Sequence, residues 1–181
     1  LRDLGKLEEL IILSQSTLKS TTINQGYKLR SLLNITIANF LKKDFSETLL
    51  YIKKTNNLIN QGAIETIIDK KNRTHTLTFS RFITSLYTHL EKGDNYTDSG
   101  KIPHIGESHC LSFAHQNLSI YSQQKKIQPV LIVGGKAWHF ANKNYNQWKD
   151  SLTQQIKNHT YSNSIFISFG EIDCRKDEGI L

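Results

Sequence analysis

Apolar residues recur at helical spacing through the first half of the chain. Leu4, Leu7, Leu10, Ile11 and Leu18 form one stripe, and Leu29, Leu32, Leu33, Ile37, Phe40 and Leu41 a second. Phe45, Leu49, Ile52 and Ile59 form a third, and Phe79, Phe82, Ile83, Leu86, Tyr87 and Leu90 a fourth. Each follows the i, i+3, i+4, i+7 rule of a helix that buries one face. The pattern stops at Glu91-Lys92-Gly93-Asp94-Asn95-Tyr96-Thr97-Asp98-Ser99-Gly100, a polar stretch with two glycines. We read residues 1–91 as a helical segment and 92–100 as a linker.

Residues 101–181 alternate instead. Ile102–Ile105 is a short apolar run, Ser108–Ser122 reads as a helix with Leu111, Ala114, Leu118 and Tyr121 on one face, and Pro129–Val133 is wholly apolar. Lys143–His159 reads as a helix with Tyr145, Trp148, Leu152 and Ile156 as its stripe, and Ser164–Phe169 is a third buried-type run. Short apolar runs alternating with helices predict β-α-β-α-β, a parallel sheet and right-handed crossovers. The overall class is α/β. Doubly wound sheets usually have about five strands, so 101–181 is read as part of such a domain.

Every polar constellation follows a predicted strand. Gly106-Glu107-Ser108-His109 follows the first, Gly134-Gly135-Lys136-Ala137-Trp138-His139 the second, and Gly170-Glu171-Ile172-Asp173-Cys174-Arg175 the third. In a parallel sheet the three loops emerge at one carboxyl edge, where open α/β sheets bind ligands. Tight βα turns explain the glycines, but not the acids, histidines and arginine beside them. Ser108 is either a helix N-cap or a nucleophile whose oxyanion would face the free N–H groups of that helix start. His139 is either a general base or a helix-capping histidine. His109 adjoins Ser108 in sequence and points elsewhere from a helix start, and His104 is expected to be packed within its strand. Glu171, Asp173 and Arg175 alternate along one stretch, and either orient a polar substrate or pair internally.

Two resemblances sharpen this reading. Asp3-Leu4-Gly5-Lys6-Leu7-Glu8-Glu9-Leu10 resembles the turn between the helices of a tetratricopeptide repeat, and Lys43-Asp44-Phe45-Ser46-Glu47-Thr48-Leu49 resembles a degenerate second copy. That resemblance covers about the first 60 residues and implies a capping helix, for which 76–91 fits. Ile105-Gly106-Glu107-Ser108-His109 resembles the first block of the SGNH (GDSL-like) hydrolases, with Glu107 in place of Asp. Gly135 falls at that family's second-block glycine, and Gly170-Glu171-Ile172-Asp173 at its third block, where Ile172 replaces the usual Asn.

The resemblance implies a flavodoxin-like three-layer α/β domain. It implies that Ser108 attacks an ester carbonyl while the N–H groups of Ser108 and Gly135 hold the oxyanion. Glu107, His109, Lys136, Glu171, Asp173 and Arg175 would then contact substrate, an O-acyl ester such as one on a carbohydrate. The alternative is a non-catalytic interaction protein whose helical repeats bind a protein partner. The family's Asp-x-x-His block, which supplies its base, is expected beyond Leu181.

Composition narrows the classes. Net charge is +7, but basic side chains are spread through the chain, 14 in residues 1–100 and 9 in 101–181. No aromatic-interleaved basic motif accompanies them, so a nucleic-acid partner is not expected. No apolar run reaches the ~20 residues of a spanning helix, so no membrane is expected. Cys110 and Cys174, the 2 cysteines, make no disulfide framework and read as reduced thiols of a cytoplasmic protein. Gly134-Gly135-Lys136 lacks phosphate-loop spacing. His109, Cys110, His139, Asp173 and Cys174 lack the paired spacing of metal ligands, so neither metal nor cofactor is expected. The chain has 0 methionines and no leader-like start, and reads as a piece of a longer one.

Overall fold

The computed structural model describes residues 6–91, 100–120, 122–159, 163–170 and 174. They fall into two compact units, one over the described residues up to 91 and one over those from 100 onward. The first is helical. Its elements are α1 (Leu7–Lys19), α2 (Gln25–Lys42), α3 (Phe45–Asn60) and α4 (Lys70–Glu91), with a 3-10 turn at Ala63–Thr66. Leu7 and Phe45, the residues aligned by the two similar segments, each open a helix.

Local chemistry sets the helix ends. The Asn24 side chain caps α2 by accepting the Gly26 N–H at 2.6 Å. Lys43 stops α2 in the left-handed region, and the Asp44 N–H returns to the Asn39 carbonyl at 2.9 Å. Asp44 then caps α3 through the Glu47 N–H at 3.1 Å. That bond, and the Ser46 hydroxyl at 2.9 Å, hold the Asp44 carboxyl below its usual range. The fourth helix starts at Lys70 rather than near 76, because Asp69 caps it through the Asn72 N–H at 2.6 Å.

The centre of this unit is α2. Leu29, Ile35, Ala38 and Phe40 are fully buried, and α1, α3 and α4 all pack on it. Leu32, Ile35 and Tyr51 meet Ile11, Leu18 and Leu58 on one side. Leu29 meets Ala63, Ile64 and Ile67 on another. Emptying the Phe40 site would cost roughly 3–5 kcal/mol.

The second unit is a four-stranded sheet of β1 (Lys101–Gly106), β2 (Asn117–Ile120), β3 (Gln123–Leu131) and β4 (Phe166–Ser168), in the order β2-β3-β1-β4. β1 runs parallel to β3 on one side and to β4 on the other. β2 pairs antiparallel with β3, so the sheet is mixed where a purely parallel one was expected. The expected helix over Ser108–Ser122 is replaced by a 3-10 helix, Ser108–Phe113, and the edge strand β2. His115 turns left-handed, and the chain is captured by β3: His115 donates to the Ile127 carbonyl at 2.8 Å, and Ile127 to the Gln116 carbonyl at 2.9 Å. Backbone pairing thus overrides the helical spacing of Leu111, Ala114 and Leu118.

Both prolines of the chain lie in strands, each where one flank is open. Pro103 precedes the first residue of β1 paired to β4, and Pro129 lies past the last β2 pair. A missing N–H is tolerated at such places. On one sheet face Ile105, Val130 and Ile132 pack against Trp148 and Leu152 of α6 (Gln147–Asn158), with Ile165 and Phe169. A five-residue helix, α5 (Ala137–Ala141), precedes α6. By the two-residue period of a strand, Ile102, His104 and Gly106 face the other way, where Phe113 of the 3-10 helix meets the His104 ring.

Candidate functional site

Register places the carboxyl ends of the parallel strands at one level. Gly106 pairs with Leu131 of β3 and with Ser168 of β4. The chain leaves β1 for β3 on one side and later returns to β4 on the other, so the strand order reverses between β1 and β4. Crevices at such reversals, outside the carboxyl ends, are where open α/β sheets bind ligands. The loops beginning at Glu107, Ile132 and Phe169 leave from this edge.

Glu107 directly follows β1 and is 2% exposed. Its N–H reaches the Ser168 carbonyl at 3.4 Å, and its own carbonyl accepts the Cys110 N–H at 2.9 Å. Cys110 is fully buried, and its thiol is pushed up to about 12, chiefly by burial and partly by the Glu107 charge. Ser108, half-buried, is the first residue of the 3-10 helix, and His109 beside it is exposed.

Behind β3, the chain turns at Val133-Gly134. Gly134 has φ +71°, and the Gly135 N–H donates to the Ile132 carbonyl at 3.4 Å. Gly135 is packed tightly: a Cβ there would meet Phe169 at 3.1 Å and Phe140 at 3.3 Å. Lys136 is the N-cap residue of α5. Its N–H donates to His139 Nδ1 at 2.9 Å, and its carbonyl accepts the His139 N–H at 3.0 Å. The His139 ring also stacks on Trp148, with centroids 3.7 Å apart. A neutral ring accepting at Nδ1 carries its proton on Nε2. The lone pair a base would need is then engaged, and His139 acts as a cap.

Behind β4, Gly170 has φ +119°. Glu171, Asp173 and Arg175 lie outside the described residues. Among the described residues, no three His, Cys, Asp or Glu side chains gather at a metal-binding distance. No described helix is long and apolar enough to cross a membrane.

No family model, curated protein or solved structure matches this chain. The edge is therefore read from its own geometry. That geometry contains a pair the sequence reading did not join: His104 Nε2 and Ser168 Oγ lie 2.8 Å apart. His104 is 7% exposed, and burial holds its ring below the usual histidine range. The period-two pattern puts each residue on a strand face. Only the β1–β4 register brings the two together, and register is not written in either strand alone.

Proposed function

We propose that the carboxyl edge of β1, β3 and β4 is the site of an SGNH-type esterase, acyl hydrolase or transferase, housed in a flavodoxin-like α/β domain. Its substrate class is an O-acyl ester, with a carbohydrate as the acyl carrier. The observation that carries this reading is the register that brings the ends of all three parallel strands level at Gly106, two residues before Ser108. Ser108 Oγ would attack the acyl carbonyl carbon and pass its proton to a solvent water, His139 being engaged as a cap. The tetrahedral intermediate would expel the alcohol, which takes that proton, and water or a second alcohol would then release the acyl group. The Ser108 N–H at the helix start is the oxyanion donor this geometry favours. Gly135 serves as a second donor if its long bond to Ile132 gives way. His109 and Lys136 would line the approach, Glu107 being buried, with Glu171, Asp173 and Arg175 assigned to substrate from their alternation along one stretch. Hydrolysis of a short-chain nitrophenyl ester by the wild-type chain and by Ser108→Ala tests this. Equal rates would overturn the nucleophile assignment.

A second reading, a non-catalytic interaction protein with tetratricopeptide-like helices, is favoured by one specific feature. The candidate base His139 is engaged as a cap. The helical unit also holds a cavity of about 170 Å³ between the start of α2 and residues 66–72, lined by Arg30, Asp69 and Asn72 and flanked by the exposed Tyr27 and Ile68. Under this reading Ser108→Ala changes no ester rate, and Arg30→Ala weakens capture of the protein partner.

A further inference from the structure

We infer that His104 and Ser168 form a positioning pair that sets the spacing between Ser108 and Gly170 where the strand order reverses. The inference rests on reading that edge as the ester site. Neither residue is assigned contact with substrate.

Three observations carry it. First, backbone pairing is thin at this level. β4 pairs with β1 over three positions only, and the next contact, Glu107 N–H to the Ser168 carbonyl, is long at 3.4 Å. The 2.8 Å side-chain bond between His104 and Ser168 lies just where the ladder fades.

Second, Gly106 is shaped to this bond. A Cβ at Gly106 would lie 2.5 Å from Ser168 Oγ and 2.6 Å from the Ser168 carbonyl oxygen. The hydroxyl thus occupies the space a side chain would fill, and strands β1 and β4 approach closely there.

Third, the imidazole is costly to bury as it stands. Among the described residues, His104 Nδ1 is buried with no hydrogen-bond partner, and such a group calls for an explanation. An apolar residue in its place would carry no such penalty. The ring is instead held between Phe113 and Phe166, with centroids at 5.8 and 6.2 Å. Phe113 ends the 3-10 helix that Ser108 begins, and Phe166 lies two residues before Ser168. His104 therefore ties the Ser108 helix to the strand that leads into Gly170.

The test uses the full chain with Ser168→Ala, His104→Leu and His104→Gln, the last able to donate from its amide nitrogen to Ser168. Backbone amide NMR is read at Glu107, Ser108 and Gly170, with α6 amides as controls. Ser168→Ala and His104→Leu are expected to shift the Ser108 and Gly170 amides and to raise hydrogen exchange about tenfold or more at the Glu107 amide, which donates to the Ser168 carbonyl. His104→Gln is expected to restore them, with α6 unchanged in all three. Unmoved Ser108 and Gly170 amides in Ser168→Ala, or changes spread equally through α6, would overturn the inference whatever the ester assay shows. On an active chain, kcat should fall by ~10–100-fold at little-changed KM, since small misplacements of a reacting group cost that much. Should wild type hydrolyse no ester while the amide pattern holds, the esterase reading fails and the pair's positioning role stands.

Discussion

The imidazole of His139 lies flat on the indole of Trp148, with ring planes within 7° and centroids 3.7 Å apart. The same histidine closes the start of α5 through the Lys136 N–H, and its carbonyl accepts the Asn146 side chain at 2.8 Å. Trp148 in turn donates from its indole to the Val133 carbonyl at 3.3 Å. The ring thus joins the turn after β3 to α6. His139→Ala should lower stability by about 1–2 kcal/mol, combining a lost cap and a lost stack. Urea unfolding measures this. The ester rate of the folded variant should be unchanged, and a large fall in rate at unchanged stability would restore His139 as a base.

A Cβ at Gly106 would meet the Ser168 hydroxyl and carbonyl at distances no side chain tolerates. Gly106→Ala must push β4 away, since the Ser168 carbonyl cannot rotate aside, and must also turn the Ser168 hydroxyl off His104. The expected penalty is about 1–3 kcal/mol of overpacking. In the double variant Gly106→Ala/Ser168→Ala the hydroxyl clash is gone, so part of the loss should return. A double-mutant cycle on urea midpoints measures the coupling. Strict additivity would show that the hydroxyl does not occupy that space.

The helical half was legible because periodicity alone specifies an amphipathic helix. Phe40, Phe45 and Ile83, one from each of three stripes, lie in the core or at its margin. The parallel trio of strands was legible because apolar runs end at glycines. Residues 108–122 were misread because Leu111, Ala114 and Leu118 fit a helix, while the pairing of Asn117–Ile120 with Gln123–Lys126 is a tertiary event. The edge's chemistry was legible as residue types after strands. The His104–Ser168 bond was not, since it depends on a register between strands 64 positions apart.

Two titrating groups separate by pH window. Burial lowers the folded-state pKa of His104 below its ordinary 6.5. The unfolded chain then binds the proton more tightly, so stability is full above 6.5 and is lost as pH falls from there through the folded value. Asp44 is lowered from 3.8 by its bonds to Glu47 and Ser46. Its contribution is present above 3.8 and is lost only as pH falls below that. Urea midpoints should therefore decline between pH 7 and 5 in wild type, and decline less in His104→Gln. Asp44→Asn should leave that window unchanged and flatten the decline below pH 4. An equal slope from pH 7 to 5 in wild type and His104→Gln would remove His104 as its source.

The two thiols differ in what they offer a reagent. Cys110 is fully buried, its pKa pushed up to about 12 by burial and the neighbouring Glu107 charge. At pH 8 it presents almost no thiolate, and thiolate is the reacting form. Cys174 is exposed. Iodoacetamide at pH 8 should alkylate Cys174 within minutes and leave Cys110 unmodified until urea unfolds the sheet. Peptide mass mapping distinguishes the two sites. Cys110 labelling should follow the unfolding curve of the α/β unit, making it a reporter of that sheet alone. Cys110→Ala would instead open a small cavity beneath Val130, whose carbonyl faces the sulfur at 3.9 Å, and should cost about 1 kcal/mol. Rapid Cys110 alkylation in folded protein would show that the Glu107 side of the sheet opens on its own.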